Sequence, residues 1–405
     1  MLKFGLPLAI LLASASPVLA APKVKPGNKA LHESLIVLDT HFDTPANMAS
    51  PSFNIRERHQ PMDGSQVDYP RMVEGGVDGG VFVIFTPQGA NTVQGNQAAR
   101  DHALLRAMVI HEMVAKNGDV FQLVTKADDA TALAKAGKKK FVFISMENGS
   151  PVAGDLTLMK TFYDMGVRMM SPVHFANNDL ADSATDPKGP VHGGLSPLGK
   201  QFVAEANRLG VLLDASHASD ATAEQMIELS AAPIILSHSG VRAIYNHARN
   251  APDDLIRKLA AKGGVIQLNA LSGYMIDTPQ NPERRAALAE LEKTYGDPSA
   301  LPADRREAYR TARRAILAKY PVPRANIDDL VKHIVHAAQV AGKDHIGLSG
   351  DFDGGGGLDG FDDITDFPVL TEKLLAAGFT KDDLAGFWGG NALRVLKQAD
   401  EMKAK

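Results

Sequence analysis

Eight short apolar runs, many of them rich in β-branched residues, recur along this 405-residue chain, and most are separated by segments with helical periodicity. The runs cover residues 35–40, 80–86, 140–146, 167–173, 211–216, 233–237, 264–270 and 345–349. Strands that alternate with helices form parallel βαβ units, because parallel strands need a long crossover connection. Eight such units predict an α/β fold of the closed (β/α)8, TIM-barrel type.

A doubly wound open sheet is the alternative architecture. That fold commonly carries a glycine-rich phosphate-binding loop between a strand and a helix. The glycines at positions 354–357 follow an apolar run but lack the spaced pattern of such a loop. We therefore favour the barrel and predict one (β/α)8 domain over residues 21–405.

Residues 276–325, after the seventh run, break the alternation of strands and helices. They are rich in charge, with Arg305, Arg306, Arg313 and Arg314 among them, and have helical but little strand character. We predict a helical insertion on the C-terminal face of the barrel, where active sites of this fold lie. Two interpretations stay open: a solvent-exposed helical insertion, and a lid that shapes access to the substrate site.

The first 20 residues resemble a secretory signal peptide. Lys3 precedes an apolar stretch at residues 4–13, and the segment ends in Ala20. The stretch is shorter than the roughly 20 residues that span a bilayer, which favours cleavage after Ala20 over an uncleaved anchor. We expect a periplasmic or secreted protein.

Composition narrows the chemistry. A formal net charge of −4 and the lack of a dense Lys/Arg run argue against nucleic acid as a partner. The chain has no cysteine, which excludes a cysteine nucleophile and thiolate zinc ligands. A small-molecule substrate is the remaining expectation.

Histidines and carboxylates stand at the ends of six of the eight runs. They are His41, Asp43, Glu147, His174, His217, His238, Asp351 and Asp353. Strand ends converge at one mouth of a (β/α)8 barrel, and burying so many ionisable groups without a cation is costly. Three of these imidazoles and two of these carboxylates already exceed a single tetrahedral zinc site, and they suit two zinc ions that share a bridging carboxylate. Such a centre indicates hydrolysis.

Five segments carry a resemblance to a known family. They are residues 38–45 (LDTHFDTP), 194–219 (from GLSPLG to NRLGVLLDASHAS), 233–239 (PIILSHS), 249–254 (RNAPDD) and 347–354 (GLSGDFDG). Together they resemble the membrane (renal) dipeptidases, zinc peptidases of the amidohydrolase superfamily. The resemblance extends from about Ser34 to Leu396, apart from the insertion.

The resemblance implies a set of metal ligands. By it, His41 and Asp43 bind one zinc ion, His217 and His238 bind the other, and Glu147 bridges the two. The expected cofactor is two Zn²⁺ ions per subunit, with a bridging hydroxide as the nucleophile.

The resemblance also implies residues that act on the substrate. His174 would contact the scissile carbonyl and stabilise the oxyanion. Asp351 would accept the proton of the hydroxide and pass it to the departing amine. Arg249 would pair with the C-terminal carboxylate of a dipeptide. Asp353 could share the catalytic face or only brace its turn, and we assign the proton transfer to Asp351.

We therefore predict a zinc dipeptidase that hydrolyses dipeptides with a free C-terminal carboxylate, including those with a C-terminal D-residue. Residues 398–405 are polar, so we do not expect the membrane attachment that the family name implies. A homodimer is possible, and the sequence does not decide it. The first alternative is another dizinc amidohydrolase that opens a lactam or lactone. The second is an inactive periplasmic protein that binds zinc or peptide.

Overall fold

A computed structural model describes residues 24–50, 53–59, 65–296, 301 and 303–403. The predicted signal peptide and its cleavage site after Ala20 lie outside these residues. Within the described ranges, no helix combines the length and the apolar character needed to cross a bilayer.

The strands form two parallel sheets. They are β1 (Leu38–Phe42), β2 (Gly79–Phe85), β3 (Phe121–Leu123), β4 (Lys140–Glu147), β5 (Val167–Met170), β6 (Leu212–Leu213), β7 (Ile235–Val241), β8 (Asn250–Ala251), β9 (Val265–Asn269) and β10 (Ile346–Ser349). One sheet has the order β1-β2-β4-β5-β6, with β3 beside β4. The other has the order β10-β9-β7-β8.

Backbone contacts join the two sheets into a barrel. Asp214 after β6 pairs in parallel with Ile235 of β7, and Phe42 of β1 pairs with Phe352 after β10. Eight strands, all except the short β3 and β8, correspond to the eight apolar runs of the sequence. The predicted (β/α)8 fold is confirmed.

Helices connect the strands. They are α1 (Pro26–Glu33), α2 (Pro45–Met48), α3 (Tyr69–Glu74), α4 (Val93–Lys116), α5 (Ala127–Ala136), α6 (Ser150–Ala153), α7 (Leu158–Asp164), α8 (Pro197–Leu209), α9 (Asp220–Leu229), α10 (Asp253–Ala261), α11 (Pro282–Tyr295), α12 (Ala303–Lys319), α13 (Ile327–Ala341), α14 (Phe367–Ala376), α15 (Lys381–Ala385) and α16 (Asn391–Glu401). A π-helical turn, Gly386–Gly390, joins α15 to α16. Helix α8 shows the local logic: the Ser196 hydroxyl accepts a hydrogen bond from the amide of Gly199, and Gly210 ends the helix in a left-handed conformation.

One layer of apolar side chains fills the base of the barrel. Seven strands contribute Leu38, Val81, Phe143, Met169, Leu212, Ile235 and Val265 to one buried cluster. Val395 and Leu396 of α16 belong to the same cluster. Because this end is packed with apolar side chains, the polar residues of the strands are left for the opposite, C-terminal end.

The described part of residues 276–325 contains two helices, α11 and α12. Leu291, Leu301 and Tyr309 form a small buried cluster between them, separate from the barrel core. The segment is therefore a helical hairpin stabilised largely by its own apolar contacts.

Candidate metal centre and substrate cavity

The end of β1 brings His41 and Asp43 together. The pairing of β1 with β2 is irregular between Asp39 and Phe42, and Asp39 accepts a hydrogen bond from the His41 amide at 2.9 Å. Phe42 is buried against Phe82, whereas Nε2 of His41 lies 3.4 Å from Oδ2 of Asp43. The irregular register thus lets both polar side chains reach one site.

Glu147, the last residue of β4, lies between two groups of histidines. Its Oε2 is 3.6 Å from Nε2 of His41. Its Oε1 is 3.0 Å from Nε2 of His217 and 3.4 Å from Nε2 of His238. One carboxylate therefore presents a different oxygen to each side of the cluster, as a bridging ligand does.

The remaining histidines complete the cluster. His217 and His238 point their Nε2 atoms at each other, 2.9 Å apart, and Nε2 of His174 is 3.9 Å from Oε1 of Glu147. The Nδ1 atoms of His41, His174 and His217 are buried and have no hydrogen-bond partner among the described residues. Imidazole nitrogens at these separations need a shared proton or a cation between them.

The backbone is unusual at the same place. Within the described ranges, only four non-glycine residues have a positive φ: Asn148 (74°), His217 (68°), Asp351 (52°) and Asp353 (68°). Non-glycine residues in this region cost of order 1–3 kcal/mol each and persist where the surrounding structure holds them. All four stand at or next to candidate site residues, so the strain is concentrated at the mouth of the barrel.

The electrostatics match a site made for a cation. Burial acts to raise the pKa of Glu147, but the neighbouring His41, His174, His217 and His238 outweigh it and hold that pKa well below its usual range. Burial, aided by the charge of Arg249, lowers the pKa of His217 well below its ordinary value. Burial acts to lower the pKa of His41, but Glu147 and Asp43 outweigh it and raise that pKa well above its ordinary value. An ionised carboxylate beside an unprotonated imidazole such as that of His217 offers the donor atoms of a metal site.

The donor atoms fit a metal ion of the zinc type. Three groups of ligand atoms lie within 4.8 Å of one another: His41, Glu147 and His238; Glu147, His174 and His217; and His41, Asp43 and Asp351. Nitrogen and oxygen ligands of this kind suit zinc, and the chain has no thiolate to offer. All five residues expected to bind metal are thus brought together.

A cavity of about 240 Å³ opens beside this cluster, and Arg249 lines it. The side chain is only 3% exposed, and its Nη2 donates to the carbonyl oxygen of His238 at 3.0 Å. Its Nε is buried without a partner, and no described carboxylate lies within ion-pair distance of the guanidinium. A buried, unpaired guanidinium at a cavity wall is a receptor for an anionic ligand.

Asp351 and Asp353 both line the cavity but have different surroundings. Burial raises the pKa of both carboxyl groups to about 7, so their hydrogen bonds make the difference. Oδ2 of Asp351 accepts one hydrogen bond, from the side-chain amide of Asn269 at 3.0 Å. Asp353 accepts from the hydroxyl of Thr44 and from the backbone amide of Gln66, both at 2.7 Å. The contacts of Asp353 are those of a brace between two loops.

Sequence reasoning missed three residues of this site. Asn269 ends β9, which corresponds to the seventh apolar run. That run is one of the two for which sequence reasoning named no residue at the end. Phe85 and Tyr274 line the cavity beside His174 and Arg249, with the guanidinium carbon 5.3 Å from the centroid of the Tyr274 ring. Inspecting every strand end would have found Asn269, but the two aromatic residues have no distinguishing sequence pattern.

The family model for membrane dipeptidases, peptidase family M19, matches residues 27–405. The chain belongs to this family. The resemblance inferred from the sequence is therefore confirmed, and the protein is a metal-dependent hydrolase of the dipeptidase class.

Individual relatives agree with this assignment. The structure of the probable dipeptidase PvdM from Pseudomonas aeruginosa is similar with a TM-score of 0.78 and 30% identity, covering 93% of this chain and 98% of that one. An uncharacterized dipeptidase of Schizosaccharomyces pombe is 29% identical over 387 residues, 90% of this chain and 81% of the relative. Human dipeptidase 3 is 26% identical over 381 residues, 93% of this chain and 67% of its own length.

A fourth relative has a bound ligand. A metallopeptidase from Rhodobacter sphaeroides, solved with a phosphinate mimic of the dipeptide L-Ala-D-Ala, has a TM-score of 0.72. It is 21% identical, and the match covers 90% of this chain and 99% of that one. At this identity the likeness shows the shared fold.

Proposed function

We propose that this M19 metallopeptidase uses two zinc ions to hydrolyse dipeptides with a free C-terminal carboxylate. The observation that carries the proposal is the buried guanidinium of Arg249, which has no ion-pair partner among the described residues and lies on the wall of the cavity that contains the metal-ligand cluster. A peptide with more than one residue after the scissile bond would carry its C-terminal carboxylate away from this anchor. The distance between this cation and the reacting centre therefore limits the C-terminal side of the substrate to one residue.

Five residues would hold the zinc ions: His41 and Asp43 on one side, His217 and His238 on the other, and Glu147 between them. The two oxygens of Glu147 face the two sides at 3.0–3.6 Å, which supports a bridging role. When bound, two zinc ions supply a hydroxide nucleophile at neutral pH and polarise the scissile carbonyl.

The residues of the chain position the substrate and move its protons. Arg249 would fix the C-terminal carboxylate through its planar fork, which orients the peptide bond toward the cluster. His174, next to Phe85 and Phe175, would donate a hydrogen bond to the developing oxyanion. Asp351, held by Asn269, would take a proton from the nucleophile and return it to the leaving amine.

We extend the proposal to dipeptides with a C-terminal D-residue. The Rhodobacter sphaeroides relative was solved with a mimic of L-Ala-D-Ala, which supports this substrate class. The anchor itself recognises a carboxylate and is indifferent to the configuration of the adjacent carbon. The walls formed by Leu271 and Tyr274 would then decide between the two configurations.

A substrate panel on the zinc-loaded protein tests the proposal. We expect turnover of L-Ala-D-Ala and L-Ala-L-Ala, and a loss of about 100-fold in kcat/KM for L-Ala-D-Ala amide, which lacks the carboxylate. Arg249→Met should lower kcat/KM for the free acid to the level of the amide while leaving the amide unchanged. Turnover of a β-lactam or lactone alone would overturn the dipeptidase assignment in favour of another amidohydrolase activity.

The proposed location is the periplasm or the extracellular space. Residues 1–20 carry the pattern of a cleaved signal peptide, which supports it. N-terminal sequencing of the exported protein should find Ala21 first. An intact N-terminus on a membrane-bound chain would contradict it.

A further inference from the structure

His238 differs from the other imidazoles of the cluster in how its far nitrogen is held. The Nδ1 atoms of His41, His174 and His217 lack a partner among the described residues, but Nδ1 of His238 lies 2.8 Å from the hydroxyl of Ser237. Ser237 and His238 are both at most 2% exposed, so water does not compete for this hydrogen bond.

The direction of this hydrogen bond follows from Asp214. Oδ2 of Asp214 accepts the single proton of the Ser237 hydroxyl at 2.6 Å. Oδ1 of Asp214 accepts the backbone amides of Ser216 and Ser237 at 2.9 and 3.0 Å. With its proton committed to Asp214, the Ser237 oxygen can only accept from the imidazole. His238 must therefore carry its proton on Nδ1, which leaves Nε2 with a free lone pair toward Glu147.

We infer that Asp214 and Ser237 are positioning residues that fix the tautomer and ring orientation of His238 for zinc. This inference rests on the proposed role of His238 as a metal ligand. Outer partners of this kind orient the ligand and raise its basicity, and their loss typically lowers metal affinity 10- to 100-fold. This relay, the chain of hydrogen bonds from carboxylate to hydroxyl to imidazole, joins Asp214, directly after β6, to Ser237 and His238 within β7.

Asp214→Asn is the sharpest perturbation. The two backbone amides at Oδ1 require an oxygen there, so the amide NH₂ of Asn must stand at the Oδ2 position beside Ser237. The NH₂ group would then donate to the Ser237 hydroxyl, which would turn its own proton toward Nδ1 of His238. The imidazole would be forced into the other tautomer, with a proton on the nitrogen that should bind metal.

The test is equilibrium zinc binding to the metal-free full-length protein by competition with a chromophoric chelator, with metal content measured in parallel. We expect Asp214→Asn to lower the affinity for one of the two zinc ions by about 100-fold. Ser237→Ala should lower the same affinity by about 10-fold. Ser237→Thr, which keeps the hydroxyl, should restore binding. Ser239→Ala is the matched control and should leave both affinities unchanged, because among the described residues its buried hydroxyl hydrogen-bonds only to that of Ser216, at 3.5 Å.

Wild-type zinc affinity in a folded Asp214→Asn protein would overturn the relay. If Asp214→Asn does not fold, Ser237→Ala and Ser237→Thr decide: equal affinity of the two variants would also overturn it. Since binding is measured without substrate, failure of the relay is distinguishable from failure of the dipeptidase assignment, which would leave zinc binding intact and remove peptide turnover.

Discussion

Two buried polar regions of this protein are built in opposite ways. At the barrel mouth, imidazoles and carboxylates converge and three ring nitrogens have no described partner. Between α1 and α14, His32 is buried as completely, but its Nε2 bonds to the carbonyl of Gly75 at 2.9 Å and its Nδ1 to the hydroxyl of Thr371 at 2.7 Å. Trp388 donates to the same hydroxyl at 2.9 Å.

The difference separates a site from a structural network. Every polar atom of the His32 network is satisfied by neutral partners of this chain, so the network stabilises the fold. The mouth buries ionisable groups, and three of its ring nitrogens lack a described partner, so it carries a desolvation cost that a bound cation would offset. Substitutions at the mouth should therefore remove activity with little loss of folding stability. Substitutions in the His32 network should lower folding stability and leave activity almost unchanged.

The largest effect is expected for Glu147→Gln. Loss of the bridging charge should weaken metal binding and lower kcat/KM by about 1,000-fold or more. The free energy of unfolding of the metal-free protein should fall by at most about 2 kcal/mol, because the substitution removes the contacts of the carboxylate with the histidines but also removes its desolvation cost. Steady-state kinetics and urea unfolding measure the two quantities. The exposed Glu228→Gln, on α9, is the control, and a large loss of metal-free stability at Glu147 would break the distinction.

Asp351→Asn and Asp353→Asn form a matched pair within the mouth. The first removes the proposed proton carrier and should lower kcat by about 1,000-fold with substrate binding retained. The second weakens a brace to Thr44 and Gln66 and should lower stability by about 1 kcal/mol with a smaller loss of kcat. Comparing kcat and unfolding for both variants tests the assignment, which a larger loss of kcat in Asp353→Asn would reverse.

His32→Ala tests the structural network. It leaves the Gly75 carbonyl and the Thr371 hydroxyl without their partner and opens a cavity beside Trp388, so we expect a loss of about 3 kcal/mol in the free energy of unfolding. Kcat/KM for a dipeptide should stay within about twofold of wild type, since the residue is not at the cavity. A selective loss of activity with unchanged stability would show that the network serves the site.

The pH dependence of folding gives a smaller effect than the loss of the His32 side chain. Burial lowers the pKa of His32 to about 4 from an ordinary value of 6.5. Between these values the unfolded chain binds the proton and the folded protein does not, so stability is intact above pH 6.5 and falls as the pH decreases. The contribution lost by pH 5 is about 2 kcal/mol. Urea unfolding of metal-free wild type and His32→Gln at pH 7.5, 6 and 5 should converge as the pH falls, and parallel curves would exclude His32 as the titrating group.

Much of the fold and the ligand set could be predicted from the sequence because both depend on short-range patterns. Strand-forming runs set the barrel, and a barrel brings residues at strand ends together wherever they stand in the chain. This is why Glu147 and His238, far apart in sequence, were placed in one cluster. The resemblance to the dipeptidases then assigned a role to each.

Other features depend on long-range packing and have no local signal. Arg249 precedes the start of a helix and has the appearance of a surface charge, but it is buried against the backbone of His238. The irregular register that directs the His41 side chain toward the site arises from the pairing between β1 and β2. Tyr274 lies next to Arg249 only because of the path that the chain takes after β9.

The hairpin of α11 and α12 bears on how such an enzyme diversifies. Its apolar contacts, at Leu291, Leu301 and Tyr309, are internal, so its length and sequence can change without repacking the barrel. It begins a few residues after Leu271 and Tyr274, which line the cavity. A lineage can therefore exchange or remodel this segment, and alter the wall next to the substrate, while inheriting the catalytic machinery unchanged.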